Sequence, residues 1–293
     1  MLFSLRQNII SATLAILGAL SLSIMLSLSK LLHPGISTIF VVFVKTCFGL
    51  MFFVPILLSN RKTIAKTDML PLHILRIILS IGAILCTYYA YRNLPVAYAT
   101  SIGMSGSLFT TILSVIVLKE KISFAKWLII FLGYLGVIIV VRPVSFFLDL
   151  GTASALLANL LSSCIIILVK ILLRYDSTAT IMFYAIIGII IITFLLNIHG
   201  WEVLTMKDLI LLSFMGLLGV ITQFCSFTAL KYSNLSFVAP FEYTRVFFAI
   251  LIGLIIFHEI PDVSTLFGST LIILSVYMIT CLDNETKNPA REK

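Results

Sequence analysis

The chain has 293 residues, 60% of them hydrophobic and only 11% charged, with a mean hydropathy of +1.16. A soluble domain is about 45–50% apolar and about 25% charged, so these values exclude one and describe an integral membrane protein. The net charge of +8 does not signal nucleic acid, because the basic residues sit mostly in short gaps between apolar runs, where they orient spans.

A helix needs about 20 apolar residues, at 1.5 Å rise each, to cross a bilayer. In chain order ten runs meet that need: 8–30, 36–58, 70–91, 96–118, 124–142, 150–173, 178–198, 207–230, 235–257 and 263–281. The first is too long for a signal-peptide core and carries no clean A-x-A cleavage site, so it reads as a retained span. Every gap is a short loop. The tail "LDNETKNPAREK" is polar and reads as disordered.

Loop charges orient the spans. With the N-terminus in the cytoplasm, that side collects Arg61, Lys62, Lys66, Lys119, Lys121 and Lys126, then Lys170, Arg174 and Lys231, together with Arg6 and the basic tail. The far side holds Lys30, Arg92, Arg142 and Lys207. Both termini are therefore expected in the cytoplasm.

The halves of the chain echo one another. "SVIVLKEKISFAKW" follows the fourth run and "GLIIFHEIPDVSTL" the ninth, each with a glutamate, Glu120 or Glu259, before a polar turn. Lys30 and Lys170 close corresponding runs, and a Ser-Thr pair follows each at the same offset, Ser37-Thr38 and Ser177-Thr178. Five spans is an odd number, so a second copy enters the membrane upside down, an arrangement used by many carriers. The expected fold is all-α, with ten transmembrane helices as two inverted five-helix repeats over residues 1–145 and 146–281 and a cytoplasmic tail at 282–293. The two loop glutamates are expected to cap the next helix or to pair with a nearby lysine.

Charges inside the runs point to function. "APFEYTRVFFAILIGLIIF" opens with Glu242 and Arg245, one turn apart. A charge at a span centre costs about 2.5–3.5 kcal/mol on insertion scales. The two can neutralise one another on one helix face, or at least one of them meets a solute. Pro240 removes an amide donor just before them. Lys45 lies too deep to snorkel and points to a cavity, whereas Arg76, a turn inside its run, reads as an anchor reaching the cytoplasmic surface. Tyr243 and Phe241 flank Glu242, and Asn159 lies beside the small-residue stripe Ser154, Ala158 and Ser162. Ala97, Ser101 and Ser105 form a matching stripe, and both stripes read mainly as packing seams. Tyr88, Tyr89, Tyr91 and Tyr98 read as interface anchors. The five cysteines read as small core residues. The histidines, His33, His73, His199 and His258, are scattered at run ends, and no metal or catalytic constellation can be assembled from them.

"YYAYRNLPVAYATSIGMSGSLFTTILSVIVLKEKISFAKW" (88–127) and "ALKYSNLSFVAPFEYTRVFFAILIGLIIFHEIPDVSTLFGSTLII" (229–273) resemble the corresponding signatures of the drug/metabolite transporter superfamily, EamA-like branch. "HILR" (73–76), "APFEYTR" and "HEIPDVSTLFG" resemble those of bacterial S-adenosylmethionine uptake carriers within it. The chain departs from the pattern at Ser107, where members often carry proline, and in placing its acid before its base at Glu242 and Arg245. The resemblance implies a carrier rather than an enzyme. It would sit in a bacterial inner membrane, need no cofactor or metal, and take up S-adenosylmethionine in exchange for S-adenosylhomocysteine. A homodimer is compatible with it. The candidate solute contacts are Glu242, Arg245, Tyr243, Lys45, Phe241 and Asn159. Glu242 would meet a cationic group, Lys45 or Arg245 a carboxylate, and Tyr243 an adenine or sulfonium. The alternative is a proton-driven exporter of amino acids or metabolites, with Glu242 as proton carrier. No nucleotide-hydrolysing motif is present.

Overall fold

The computed structural model describes residues 2–29, 31–33, 35–59, 66–93, 102–103, 106–141, 150–198, 200–256 and 263–286. Among them there is no strand. The helices run in the order α1 (Leu2–Ser29), α2 (Thr38–Ser59), α3 (Leu70–Asn93), α4 (Gly106–Val117), α5 (Phe124–Val141), α6 (Leu150–Leu172), α7 (Thr178–Leu196) and α8 (Met206–Tyr232). There follow a short α9 (Leu235–Val238), a 3-10 turn (Ala239–Tyr243), α10 (Thr244–Ile256) and α11 (Val263–Thr286).

Among the described residues six stretches are long and apolar enough to cross a membrane: Gln7–Ser29, Thr38–Leu58, Leu70–Thr87, Leu150–Leu172, Thr178–Leu196 and Met206–Tyr232. Leu108–Val117 and Phe124–Gly136 are shorter apolar stretches. The predicted fourth run began at residue 96, but the described helix starts at Gly106, and residues 94–101 and 104–105 lie outside the described residues. So do Lys30, Glu259, His199, His258 and the tail from residue 287, and nothing is described of the Tyr88, Tyr91 and Ser107 side chains.

Local chemistry sets several helix starts. Ser177 caps α7 by accepting the Thr180 N–H at 3.1 Å. Thr205 and Asp208 form a reciprocal capping box at the start of α8. Asp208 also accepts the His33 N–H at 3.2 Å, and Glu202 accepts the Ser37 N–H at 2.8 Å. These bonds tie the loop after α1 to the loop before α8.

The predicted ninth run is broken rather than continuous. Pro240 cannot supply an amide to an α-helical ladder, and the chain tightens into the 3-10 turn across it. Regular α-helix resumes at Thr244, whose hydroxyl donates to the Phe241 carbonyl at 2.6 Å.

Packing follows small residues. The helix pairs in contact include α1 with α8, α3 with α6, α2 with α8, α3 with α7, α2 with α7, α4 with α6, α1 with α10, and α5 with α11. A Cβ on Gly216 would lie 2.6 Å from the Lys45 carbonyl oxygen and 2.8 Å from the Gly49 nitrogen, so α8 and α2 cross backbone to backbone. A Cβ on Gly136 would lie 2.8 Å from the Gly268 carbonyl oxygen, which sets the same closeness between α5 and α11. A buried cluster including Leu172, Ile181, Ala229, Leu235, Phe237 and Phe241 joins α6, α7, α8, α9 and the turn. Leu128, Phe131, Ile191, Leu195, Ile210 and Phe214 stay exposed on the outside of the bundle, an apolar surface suited to lipid.

Candidate functional site

Where the ninth run breaks, a cavity of about 440 Å³ opens between it and α3, α4, α6 and α8. That size is within the range of about 300–1,000 Å³ typical of small-molecule sites. Its wall is unusually polar for a membrane interior. Arg76 and Ser80 come from α3, Thr110 from α4, Asn159, Ser162 and Ser163 from α6, Gln223 and Ser226 from α8, and Glu242 and Arg245 from the broken segment. Phe227, Ile166, Val169 and Leu230 supply apolar wall.

Glu242 and Arg245 both line this cavity and are both half-buried. Of the two readings left open, mutual neutralisation is not observed: among the described residues no ion pair joins them. The helix is broken between the two, since Glu242 belongs to the 3-10 turn and Arg245 to α10. Nor does the Glu242 carboxylate make a hydrogen bond among the described residues. The Arg245 carbonyl is held by the Ser23 hydroxyl at 3.0 Å, which fixes the start of α10 against α1.

Asn159 also lines the cavity. Its amide nitrogen donates to the carbonyls of Ile102 and Ala155 at 3.0 and 2.9 Å, which leaves its oxygen toward Gly106, where an added Cβ would lie 3.2 Å away. Ser163 donates to the Gly106 and Asn159 carbonyls at 3.0 and 2.8 Å, and accepts from the Thr110 hydroxyl at 3.1 Å. The α4–α6 seam is therefore both a packing contact and a polar wall.

Tyr243 forms part of the wall but has 0% exposed surface. Its ring lies where a Cβ on Gly133 would approach to 2.7 Å, and its hydroxyl reaches the Ile130 carbonyl at 3.5 Å. Phe241 faces away from the cavity wall, buried against Phe237 with ring centroids 5.3 Å apart. Lys45 is likewise not part of the wall. Its ammonium lies 3.9 Å from the Met25 sulfur, at the α2–α8 crossing.

Arg76 corrects the sequence reading. It does not reach the membrane surface as an anchor: it is 6% exposed and lines the cavity. One terminal nitrogen donates to the Ile181 carbonyl at 3.0 Å, and the guanidinium carbon lies 5.1 Å over the Phe227 ring. Its Nε is buried with no partner. The signal was the spacing of His73, Arg76 and Ser80, which places all three on one helix stripe. That stripe turns inward, because His73 pairs with Asp176 at 2.8 Å and stacks on Tyr184 with centroids 4.5 Å apart. Thr67 donates to the same Asp176 oxygen at 2.7 Å. Gln223 and Ser226 were also passed over, although polar side chains inside an apolar run are a functional signal in their own right.

One end of the bundle is closed by bonds between distant parts of the chain. The Lys170 ammonium donates to the carbonyls of Leu230 and Ser233 at the end of α8. Ser233 donates to Asn8 at 3.0 Å, and Ser11 donates to the Ala229 carbonyl at 2.8 Å. Glu120 accepts the Leu235 N–H at 2.9 Å, so it caps the start of the broken ninth segment. Among the described residues no group of three or more His, Cys, Asp and Glu is placed to hold a metal ion.

A profile of the EamA-like transporter family matches residues 9–142 and again residues 149–281. An S-adenosylmethionine uptake transporter of Rickettsia bellii is 27% identical over 252 residues, covering 86% of this chain and 87% of its own. A riboflavin transporter of Vibrio cholerae is also 27% identical, over 263 residues, covering 88% of this chain and 87% of its own. Human solute carrier family 35 member G1 is 30% identical over 220 residues, which is 69% of this chain and 60% of its own. A crystal structure at 14% identity superposes with a TM-score of 0.81, covering 96% of this chain and 98% of that one, and so shares the fold.

Proposed function

The chain belongs to the EamA-like transporter family, and from that premise we propose that it carries a small polar metabolite across the membrane by alternating access, with S-adenosylmethionine uptake as the first substrate to test. The observation that carries this reading is the Glu242 carboxylate, which lines the cavity without a hydrogen bond or ion pair among the described residues. A membrane protein keeps an ionisable group in such a place for a solute or a proton. Glu242 meets the solute's cationic part, and Arg245 and Asn159, both in the wall, meet its polar groups. Relatives named for S-adenosylmethionine and for riboflavin match at the same identity. The preference for the former therefore rests on the local resemblance of "APFEYTR" and "HEIPDVSTLFG".

The helix pairing supports two inverted five-helix repeats. Exchanging each helix of the first half for its counterpart in the second turns α1–α8 into α6–α3, α2–α8 into α7–α3, and α1–α10 into α6–α4. It leaves α2–α7 and α5–α11 unchanged, and every pair so produced is a contact. The family profile matching once in each half agrees with this reading. The bundle then sits in a bacterial inner membrane with both termini cytoplasmic. The bonds of Lys170 and Glu120 form the closed cytoplasmic edge, and rocking of one half against the other opens it.

The unpartnered Glu242 also supports a second reading, proton-driven export, in which this carboxylate carries the proton. Purified protein in liposomes separates the two. Uptake of labelled S-adenosylmethionine that accelerates with S-adenosylhomocysteine inside supports exchange. Movement that collapses with the pH gradient and ignores the internal solute supports the proton-driven reading. An absence of protein-dependent uptake across a panel of unlabelled competitors and labelled metabolites rejects carrier function for this cavity.

A further inference from the structure

We propose that Arg76 is the carboxylate-reading residue of the cavity, so that the transported solute carries a carboxylate held by the Nε–Nη2 edge of this guanidinium. The inference rests on the transport reading above and deepens it. A guanidinium offers its donors as two forks, and the fork made by Nε and one terminal nitrogen matches a carboxylate with two parallel bonds. In Arg76 the other terminal nitrogen is held by the Ile181 carbonyl at 3.0 Å, and Phe227 covers the ring-facing side at 5.1 Å. The orientation is therefore set by the protein before any ligand arrives. Among the described residues the remaining edge has no acceptor, and its Nε is buried without a partner. A buried donor left unsatisfied is costly unless something in the functional cycle satisfies it.

The wall around Arg76 agrees. Gln223, also in the cavity wall, has its side-chain oxygen buried without a partner. It is a second wall group whose hydrogen-bonding capacity is unmet. Among the described residues of the wall Glu242 is the one carboxylate, and the Arg76 guanidinium has no acidic partner there. The wall therefore complements a solute with at least one anionic group, and a zwitterionic amino-acid moiety satisfies Arg76 and Glu242 together. Riboflavin, which has no carboxylate, leaves the Arg76 fork empty.

The test compares matched ligand pairs on the full chain in detergent and in liposomes. The pairs are S-adenosylmethionine with its decarboxylated analogue, and S-adenosylhomocysteine with its carboxamide, with riboflavin as the ligand lacking a carboxylate. Wild type is expected to be stabilised by, and to transport, the carboxylate member at least about tenfold more effectively, the worth of a charge-assisted bond. In Arg76→Gln the ratio between the two members of each pair falls to near parity. Arg76→Lys, which keeps the charge and loses the fork, restores only part of it. A wild-type preference that survives in a folded Arg76→Gln overturns the inference, as does a protein that takes riboflavin and rejects every carboxylate. Both of those outcomes leave carrier function standing. Failure to bind or move any of these ligands counts against the inference, and failure to move any solute at all counts against the transport reading itself.

Discussion

The Glu120 carboxylate accepts the backbone N–H of Leu235 at 2.9 Å across 115 residues of sequence. Leu235 opens the short helix that leads into the 3-10 turn carrying Glu242. The turn after α4 aims the glutamate there: Lys119 takes a left-handed backbone with φ 55°, and the Glu120 N–H bonds back to the Ser114 carbonyl at 3.3 Å. A loop residue of one half thus fixes the start of the segment that supplies two cavity charges in the other.

Removing that cap has a defined cost. Glu120→Ala is expected to lower stability by about 1 kcal/mol, the usual worth of a side chain satisfying a helix-start amide. Glu120→Gln keeps an acceptor and should lose less than half as much. Thermal unfolding of the purified variants in one detergent reads both. Equal losses for the two would show that charge, not capping, is what Glu120 contributes.

Gly216 is expected to tolerate nothing larger. Its Cβ would meet backbone atoms of Lys45 and Gly49 at 2.6 and 2.8 Å, neither of which can swing aside. Gly216→Ala should therefore destabilise by about 1–3 kcal/mol, as overpacking does. Gly219→Ala, one turn along, meets only the Met25 sulfur at 3.7 Å. It should be neutral or gain up to about 1 kcal/mol in helix propensity. Paired melting curves decide it, and a Gly216→Ala protein as stable as wild type would mean the α2–α8 crossing is looser than described.

The helical, membrane-embedded character was legible because apolar runs of spanning length are a property of single segments. The missing amide donor at Pro240 is legible for the same reason, being a local fact, although the run around it reads as one span. What could not be read was direction. Depth along the run makes Arg76 read as an anchor, but depth says nothing about which face of α3 turns inward. That depends on His73 meeting Asp176 on another segment. Glu120 reads from sequence as a cap for the next helix or a partner for a nearby lysine; the cap it makes is on Leu235, 115 residues away, a target no local pattern shows. Tyr243 reads as a cavity residue from its neighbour Glu242 and does line the same cavity, but sequence does not show that its ring is buried against Gly133 with its hydroxyl on Ile130. Lys45 was chosen for depth alone and sits on the α2–α8 crossing beside Met25.

Glu242→Gln separates a working charge from a packing one. The carboxylate makes no hydrogen bond or ion pair among the described residues, so the isosteric change should move stability by no more than about 0.5 kcal/mol. Transport should fall at least about tenfold, in line with loss of one charge-assisted contact. Arg245→Gln should also impair transport. Melting temperature and liposome uptake, measured on the same preparations, give the two readouts. If uptake persists in both variants, these residues are not solute contacts. If stability drops sharply while residual uptake keeps wild-type selectivity, Glu242 is there for packing.

Topology supplies the last expectation. Tyr175 lies between α6 and α7 and is 64% exposed, whereas Val203 lies between α7 and α8 and is 97% exposed. The helix between them, Thr178–Leu196, is of spanning length, so the two positions belong to opposite membrane faces. Lys170 and Arg174 flank Tyr175, while Glu202 and Asp208 bracket the loop of Val203 together with Lys207. The positive-inside rule therefore predicts a cytoplasmic Tyr175. With Cys47, Cys86, Cys164, Cys225 and Cys281 replaced, a membrane-impermeant thiol reagent added to intact cells should label Val203→Cys and spare Tyr175→Cys until the cells are opened. The reverse pattern would invert the protein and place the Lys170 and Glu120 bonds at the outer face. Labelling of both from outside would mean that α7 does not cross the bilayer, and the inverted-repeat reading would fall with it.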